Sequence, residues 1–191
     1  MKANTIRLLV TAMSIVALPA GAFAQSMGMS SSTDPMVGGA AMYPQKNIVQ
    51  NAVNSKDHTT LVAAVKAGGL VSTLEGPGPF TVFAPTNEAF DKLPPGTVST
   101  LVQPANKATL DKILTYHVVA GRYTAADLMN MVTQGGGKAT LKTVEGEPLT
   151  VTTTGGHLVL TDTKGGMSTV TIPDVIQSNG VIQVVDTVLM P

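Results

Sequence analysis

The chain contains no cysteine and no tryptophan. The first absence excludes disulfides, a thiolate nucleophile and a lipid-modified cysteine anchor, so the fold must hold by packing alone. The second, with only three Tyr and four Phe, argues against base stacking and against an interface built on large aromatic anchors. Charge is sparse as well: 13% of residues, twelve basic against twelve acidic, for a formal net charge of zero. Such a balance carries no electrostatic footprint for nucleic acid. No stretch reaches the ~18 uninterrupted apolar residues of a membrane-spanning helix, and no repeat is visible at periods of ~20–50 residues.

Catalytic signatures are also missing. No serine lies in a G-x-S-x-G turn, and there is no H-E-x-x-H. Gly137-Lys138 follows glycines, but Val132 stands where a phosphate-binding loop needs its first glycine and Ala139 where it needs Ser or Thr. His58, His117 and His157 are scattered and form no close metal-ligand pair in sequence. The expectation is a binding or structural protein with no cofactor, not an enzyme. A hydrolase with an unrecognised site around His117 stands as a rival.

What is present begins with a tripartite leader. Lys2 and Arg7 give a basic start, residues 8–18 (LLVTAMSIVAL) an apolar run, and Ala22-Phe23-Ala24 a small-x-small cleavage site. This is the layout of a secretory signal peptide, too short to span the ~30 Å hydrocarbon core. Cleavage near Ala24 leaves 167 residues, with ten basic against twelve acidic; that is enough for one domain with a real core. The protein is therefore expected in the periplasm or the medium, with no transmembrane segment once the leader is removed. Residues 25–44 are Ser, Gly, Ala and Met without apolar period and read as a flexible leader. They hold Met27, Met29, Met36 and Met42, soft thioethers of the kind that suit Cu(I). A copper or small-ligand carrier using this leader stands beside the reading of a plain spacer.

Periodic sequence follows, and residues 45–191 read as one domain. Ile48, Val49 and Ala52, then Leu61, Val62 and Val65, lie at helical spacing; Asp57 is placed to cap the second helix and Gly68-Gly69 to stop it. Residues 80–84 (FTVFA), after a Gly-Pro-rich turn, predict a strand. Helices are expected over 87–92, over 107–115 with Asn106 as N-cap, and over 125–131. The last third alternates with period two, and Asn179-Gly180 predicts a tight hairpin joining 174–177 to 181–189. Residues 181–185 (VIQVV) are apolar on both faces, as in a central strand covered on both sides. Helices clustered first and strands late predict an α+β fold. Tyr116-His117 and Asp186 interrupt apolar segments. They read as buried groups tied by hydrogen bonds, with a ligand contact as the alternative at His117.

Three segments now carry a resemblance. Residues 81–90 (TVFAPTNEAF), residues 114–119 (LTYHVV) and residues 179–191 (NGVIQVVDTVLMP) resemble, in order, the first signature, the Tyr-His motif and the second signature of fasciclin (FAS1) domains. The likeness covers residues 43–191 and is nearest to the small secreted bacterial single-domain members. It implies a wedge-like β-sandwich with short helices packed around it. Thr81, Phe83, Pro85, Thr86, Asn87, Asn179, Gly180 and Asp186 would be its structural positions. It implies a role in adhesion or protein binding at a cell surface or matrix, with an unidentified extracellular protein or surface component as partner and Tyr116 and His117 as contacts. Gln183 departs from the pattern, where His is common. Its amide still donates and accepts hydrogen bonds. Loops 76–79, 94–97 and 135–137 are the expected places for partner contact.

Overall fold

A computed structural model describes residues 34–191. The signal peptide expected over 1–24, the first part of the expected leader, Met27 and Met29 lie outside the described residues.

Two short strands, β1 (Met36–Val37) and β2 (Ala40–Ala41), form a hairpin. Helices α1 (Ile48–Ala52), α2 (Thr59–Gly68) and α3 (Val71–Leu74) follow, with a 3₁₀ turn at Lys56–His58. Strand β3 (Phe80–Pro85) leads into α4 (Asn87–Asp91), α5 (Thr97–Leu101) and α6 (Lys107–Tyr116). Then come β4 (Val118–Ala120), α7 (Ala125–Gln134), β5 (Lys138–Lys142), β6 (Pro148–Thr154), β7 (His157–Thr161), β8 (Met167–Gln177) and β9 (Gly180–Val185).

Seven strands pair in the order β4-β3-β9-β8-β7-β6-β5. All neighbours are antiparallel except β3 and β9, which run parallel from Phe80↔Gly180 to Pro85↔Val185. Strand β8 belongs to both halves. Its first residues pair with β7 and its later ones with β9, and irregularities near Ile172 turn it between the two. A bulged strand bends and twists more strongly, which folds one ribbon into a wedge-shaped sandwich. A bridge between Val119 and Thr143, and the Val144 N–H donating to the Val118 carbonyl at 2.7 Å, join its two outer ends.

Alternation along β3 and β9 divides the core. Val82, Ala84, Ile182 and Val184 face the cluster under α1 to α6. Phe83 and Val185 face the opposite cluster, with Leu149, Leu160 and α7's Leu128. Strand β9 is buried at every position, the condition expected for a parallel strand covered on both faces. The α+β class, the central strand and a tight hairpin before β9 match the sequence expectation, but the two turn residues are Ser178-Asn179, since Gly180 already pairs with Gln177 as the first residue of β9, and β9 stops at Val185 and not at Leu189.

Three sequence expectations are corrected. Residues 35–44 are folded, not a free leader: the β1–β2 hairpin lies in place and Val37 and Met42 are each only 2% exposed. Asn51 holds this strap, its side chain accepting from the Tyr43 N–H at 3.2 Å and donating to the Tyr43 carbonyl at 2.7 Å. Nor does Asp57 cap α2. It sits inside the 3₁₀ turn, and Asn87, distant in sequence, accepts from the Thr60 N–H at 3.0 Å. Asn106 occupies the N-cap position of α6 but makes no capping bond there; it donates instead to the Thr100 carbonyl.

The strap yields a prediction. Removing residues 25–33 is expected to leave the urea midpoint unchanged, whereas Met42→Ala lowers stability by about 2–4 kcal/mol, the range for a truncated buried side chain. An unaltered midpoint in Met42→Ala would mean that residues 35–44 are not part of the core.

Candidate functional site

Helix α6 ends at Tyr116 and hands over directly to β4, and the Tyr-His pair sits at that junction. Tyr116 is fully buried, its hydroxyl donating to the Pro148 carbonyl at 2.9 Å. Burial, reinforced by the Asp162 carboxylate, pushes its phenol up to about 12. His117 is 3% exposed. Nδ1 lies 2.8 Å from the Ile113 carbonyl, and Nε2 accepts from the Leu189 N–H at 3.0 Å. Those two partners select the neutral imidazole with its proton on Nδ1. Burial is the dominant influence and pushes the group down to about 4, against the Ile113 carbonyl and Asp162, which favour the charged form. Neither side chain is presented on the outer surface of this fold. The resemblance-based assignment of Tyr116 and His117 as surface contacts is therefore corrected: His117 pins the C-terminal segment, and Tyr116 the start of β6, to the helix-to-strand junction.

The other motif residues are also committed internally. The Thr81 hydroxyl donates to the Gly121 carbonyl and accepts from the Tyr123 N–H. Phe83 is fully buried, Pro85 closes β3, and Thr86 caps α4 by accepting from the Ala89 N–H. Asn87 adds a bond to the Lys56 carbonyl at 2.8 Å. Asn179 donates to the Leu74 and Gly76 carbonyls and accepts from the Ile48 N–H, so one side chain gathers α1, α3 and the hairpin. Gly180 brings β9 against the backbone of Phe80. Asp186 accepts from the Thr169 N–H at 2.8 Å, and Lys92 approaches it at 3.6 Å. Partial burial pushes its carboxyl up, but the hydrogen bonds from Thr169 and Thr187 and the Lys92 charge hold it below the usual value overall.

Sequence reasoning did not foresee the knot around Gln183. This fully buried amide accepts from the Asp174 N–H at 3.1 Å and donates to the Asp174 carboxylate at 3.0 Å and to the Tyr123 carbonyl at 3.3 Å. Asp174 sits at φ 57 and also accepts from the Ala125 N–H, fixing the start of α7. Left-handed backbone in a non-glycine residue is tolerated best by Asn and Asp. The signal available in sequence was a polar residue inside VIQVV.

Of the expected contact loops, 76–79 and 135–137 fall at the end of the sheet where β3, β5 and β9 begin, while 94–97 follows α4. Met36 is 57% exposed and Met42 is in the core, so these two do not present a thioether pair. Among the described residues no group of three or more His, Asp or Glu gathers to hold a metal. No described helix is long and apolar enough to cross a membrane.

The outward face of β5 to β8 is the broad surface left open. Its alternate positions carry Thr140, Thr150, Thr152, Thr161, Thr169 and Thr171 around Val159. None of the outward positions carries a carboxylate, and the charged side chains are Lys138 and Lys142 on edge strand β5.

Comparison with known proteins is consistent with this geometry. A family model described as the fasciclin domain matches residues 56–191. An uncharacterized protein of Synechocystis is 49% identical over 144 residues, 75% of this chain and 97% of its own length. The immunogenic protein MPB70 of Mycobacterium bovis is 38% identical over 77% of this chain and 70% of its own. The cell surface glycolipoprotein MPB83 of the same species is 34% identical over 83% of this chain and 61% of its own. Among solved structures, a FAS1 domain pair from the insect cell adhesion molecule fasciclin I superposes with a TM-score of 0.70 at 21% identity, over 78% of this chain and 52% of that one. This chain spans about half of that pair.

Proposed function

Because the chain belongs to the fasciclin domain family, we propose that it is an exported binding module, released from its signal peptide near Ala24, that holds a protein or matrix component at the cell surface. It acts by contact and not by catalysis. The observation that carries this reading is the outward face of β5 to β8, a broad sheet surface without carboxylates. Depletion of charge is what distinguishes the centre of a protein interface from ordinary surface, and short, stiff threonines lose little freedom when covered. The naming of one relative as a cell surface glycolipoprotein and of a structural neighbour as a cell adhesion molecule supports the same role.

The test is binding of the labelled protein to envelopes of the producing organism. Thr140→Glu with Val159→Glu is expected to weaken binding at least about tenfold, since a like or unpaired charge desolvated in an interface costs 1.4 kcal/mol or more. The urea midpoint should stay within about 1 kcal/mol of the parent, as surface changes do. Unchanged envelope binding would remove this face from the interface. A copy lacking residues 25–33 should bind like the parent; loss there would assign the contact to the leader and favour the carrier reading.

A further inference from the structure

A cleft of about 60 Å³ opens between α1, α2 and α3 on one side and β3 with the end of α6 on the other. That is at least four times the ~10–15 Å³ that a single water needs. Interiors are close-packed, with few voids larger than a water, so a space of this size is more than ordinary packing leaves. Water does not suit it. A buried water needs two to four polar partners, and the polar side chains on the inner wall are already engaged. The Thr115 hydroxyl donates to the Asp111 and Lys112 carbonyls, and both His117 nitrogens are bonded. The remaining inner wall is hydrocarbon, including Leu74, Phe80, Val82 and Leu114.

The rim differs from the interior in one respect. Val62, Leu70 and Val144 are partly or fully exposed apolar groups beside it, and Lys66 is exposed and borders the same opening. Its ammonium makes no ion pair or hydrogen bond with the described residues. An apolar slot with one cation at its mouth matches a molecule with a hydrocarbon chain and a single anionic head. We infer that this cleft binds an alkyl carboxylate, with the end of its chain against Phe80 and Leu114 and its carboxylate at Lys66. Packing of a chain terminus against such walls removes its methylenes from water, which favours binding. The inference stands apart from the β5–β8 face, which lies on different strands, so either can fail without the other.

The experiment titrates the full chain with the fluorescent polyene carboxylate cis-parinaric acid, then displaces it with decanoate or decanol below their micellar concentrations. Saturable binding of one molecule per chain is expected. Lys66→Gln should weaken decanoate about threefold to fivefold, the strength of an exposed ion pair, and leave decanol unchanged. Ala52→Leu and, separately, Val62→Phe fill the cleft or its mouth and should abolish binding of both while the urea midpoint is kept or raised. The inference is overturned by absence of saturable binding, by full binding in a filled variant that remains folded, or by equal losses for decanoate and decanol in Lys66→Gln. Fluorescence that follows dimerisation in sedimentation, and not added lipid, would overturn it too, placing a second copy in the cleft.

Discussion

Gly180→Ala is expected to lower stability by about 3 kcal/mol or more, the upper range for forced overpacking, and to abolish the cooperative urea transition if the sheet cannot adjust. A Cβ at this position would stand 2.1 Å from the Phe80 carbonyl oxygen and 2.9 to 3.0 Å from other Phe80 backbone atoms. Backbone cannot swing aside as a long side chain does. Relief requires β3 and β9 to separate at their first pair, Phe80↔Gly180. Both hydrophobic clusters rest on those two strands, so the damage would spread to each. A midpoint within about 0.5 kcal/mol of the parent, as for ordinary surface changes, would show that the close approach is not required.

Acid is expected to destabilise the protein well before its carboxylates titrate. His117 titrates near 6.5 when unfolded and at about 4 in the folded protein. Between those values the unfolded chain binds a proton that the folded chain does not, so stability falls as pH falls through this window. It is fully present above pH 6.5, and the loss is complete below pH 4. The difference corresponds to about 3 kcal/mol. His58, also held below its ordinary value by burial, acts in the same direction. Asp186 contributes lower down, as pH drops below the unfolded carboxylate value. Urea midpoints at pH 7, 5.5 and 4.5 check this. His117→Ala should reduce stability at pH 7 by about 2–4 kcal/mol through the buried Leu189 N–H left without a partner and the space left behind, and should flatten the slope between pH 7 and 4.5. A parent protein with no slope there would rule out a buried neutral His117.

Much of the architecture was legible because it is local. The apolar run VIQVV, the presence of a tight turn just before it and the Gly69 stop each depend on a few neighbouring residues. What was not legible depends on contacts between distant residues. Asn87 caps α2 from outside the helix, so the capping residue could not be found next to it, and Asp57 was the nearest wrong choice. Residues 35–44 lack apolar period because only Val37 and Met42 are fully buried, while the Asn51 amide and the Lys56 N–H hold the remainder by its backbone. The burial of Tyr116 and His117 likewise follows from Pro148 and Leu189, which the linear motif does not mention. A sequence motif marks where selection or folding has fixed residue types; it does not say whether they face a partner or the core.

The centre of the sheet is made by β9, the last strand in chain order among the described residues. Strand β9 fits between β3 and β8, and its partner β3 was synthesised about one hundred residues earlier. A nascent chain that stops short of Val185 therefore has two unfinished cores and an incomplete wall between them. Non-local pairing of this kind delays folding until late contacts can form. For this protein the delay is built into connectivity: both cores lack a shared strand until β9 is available.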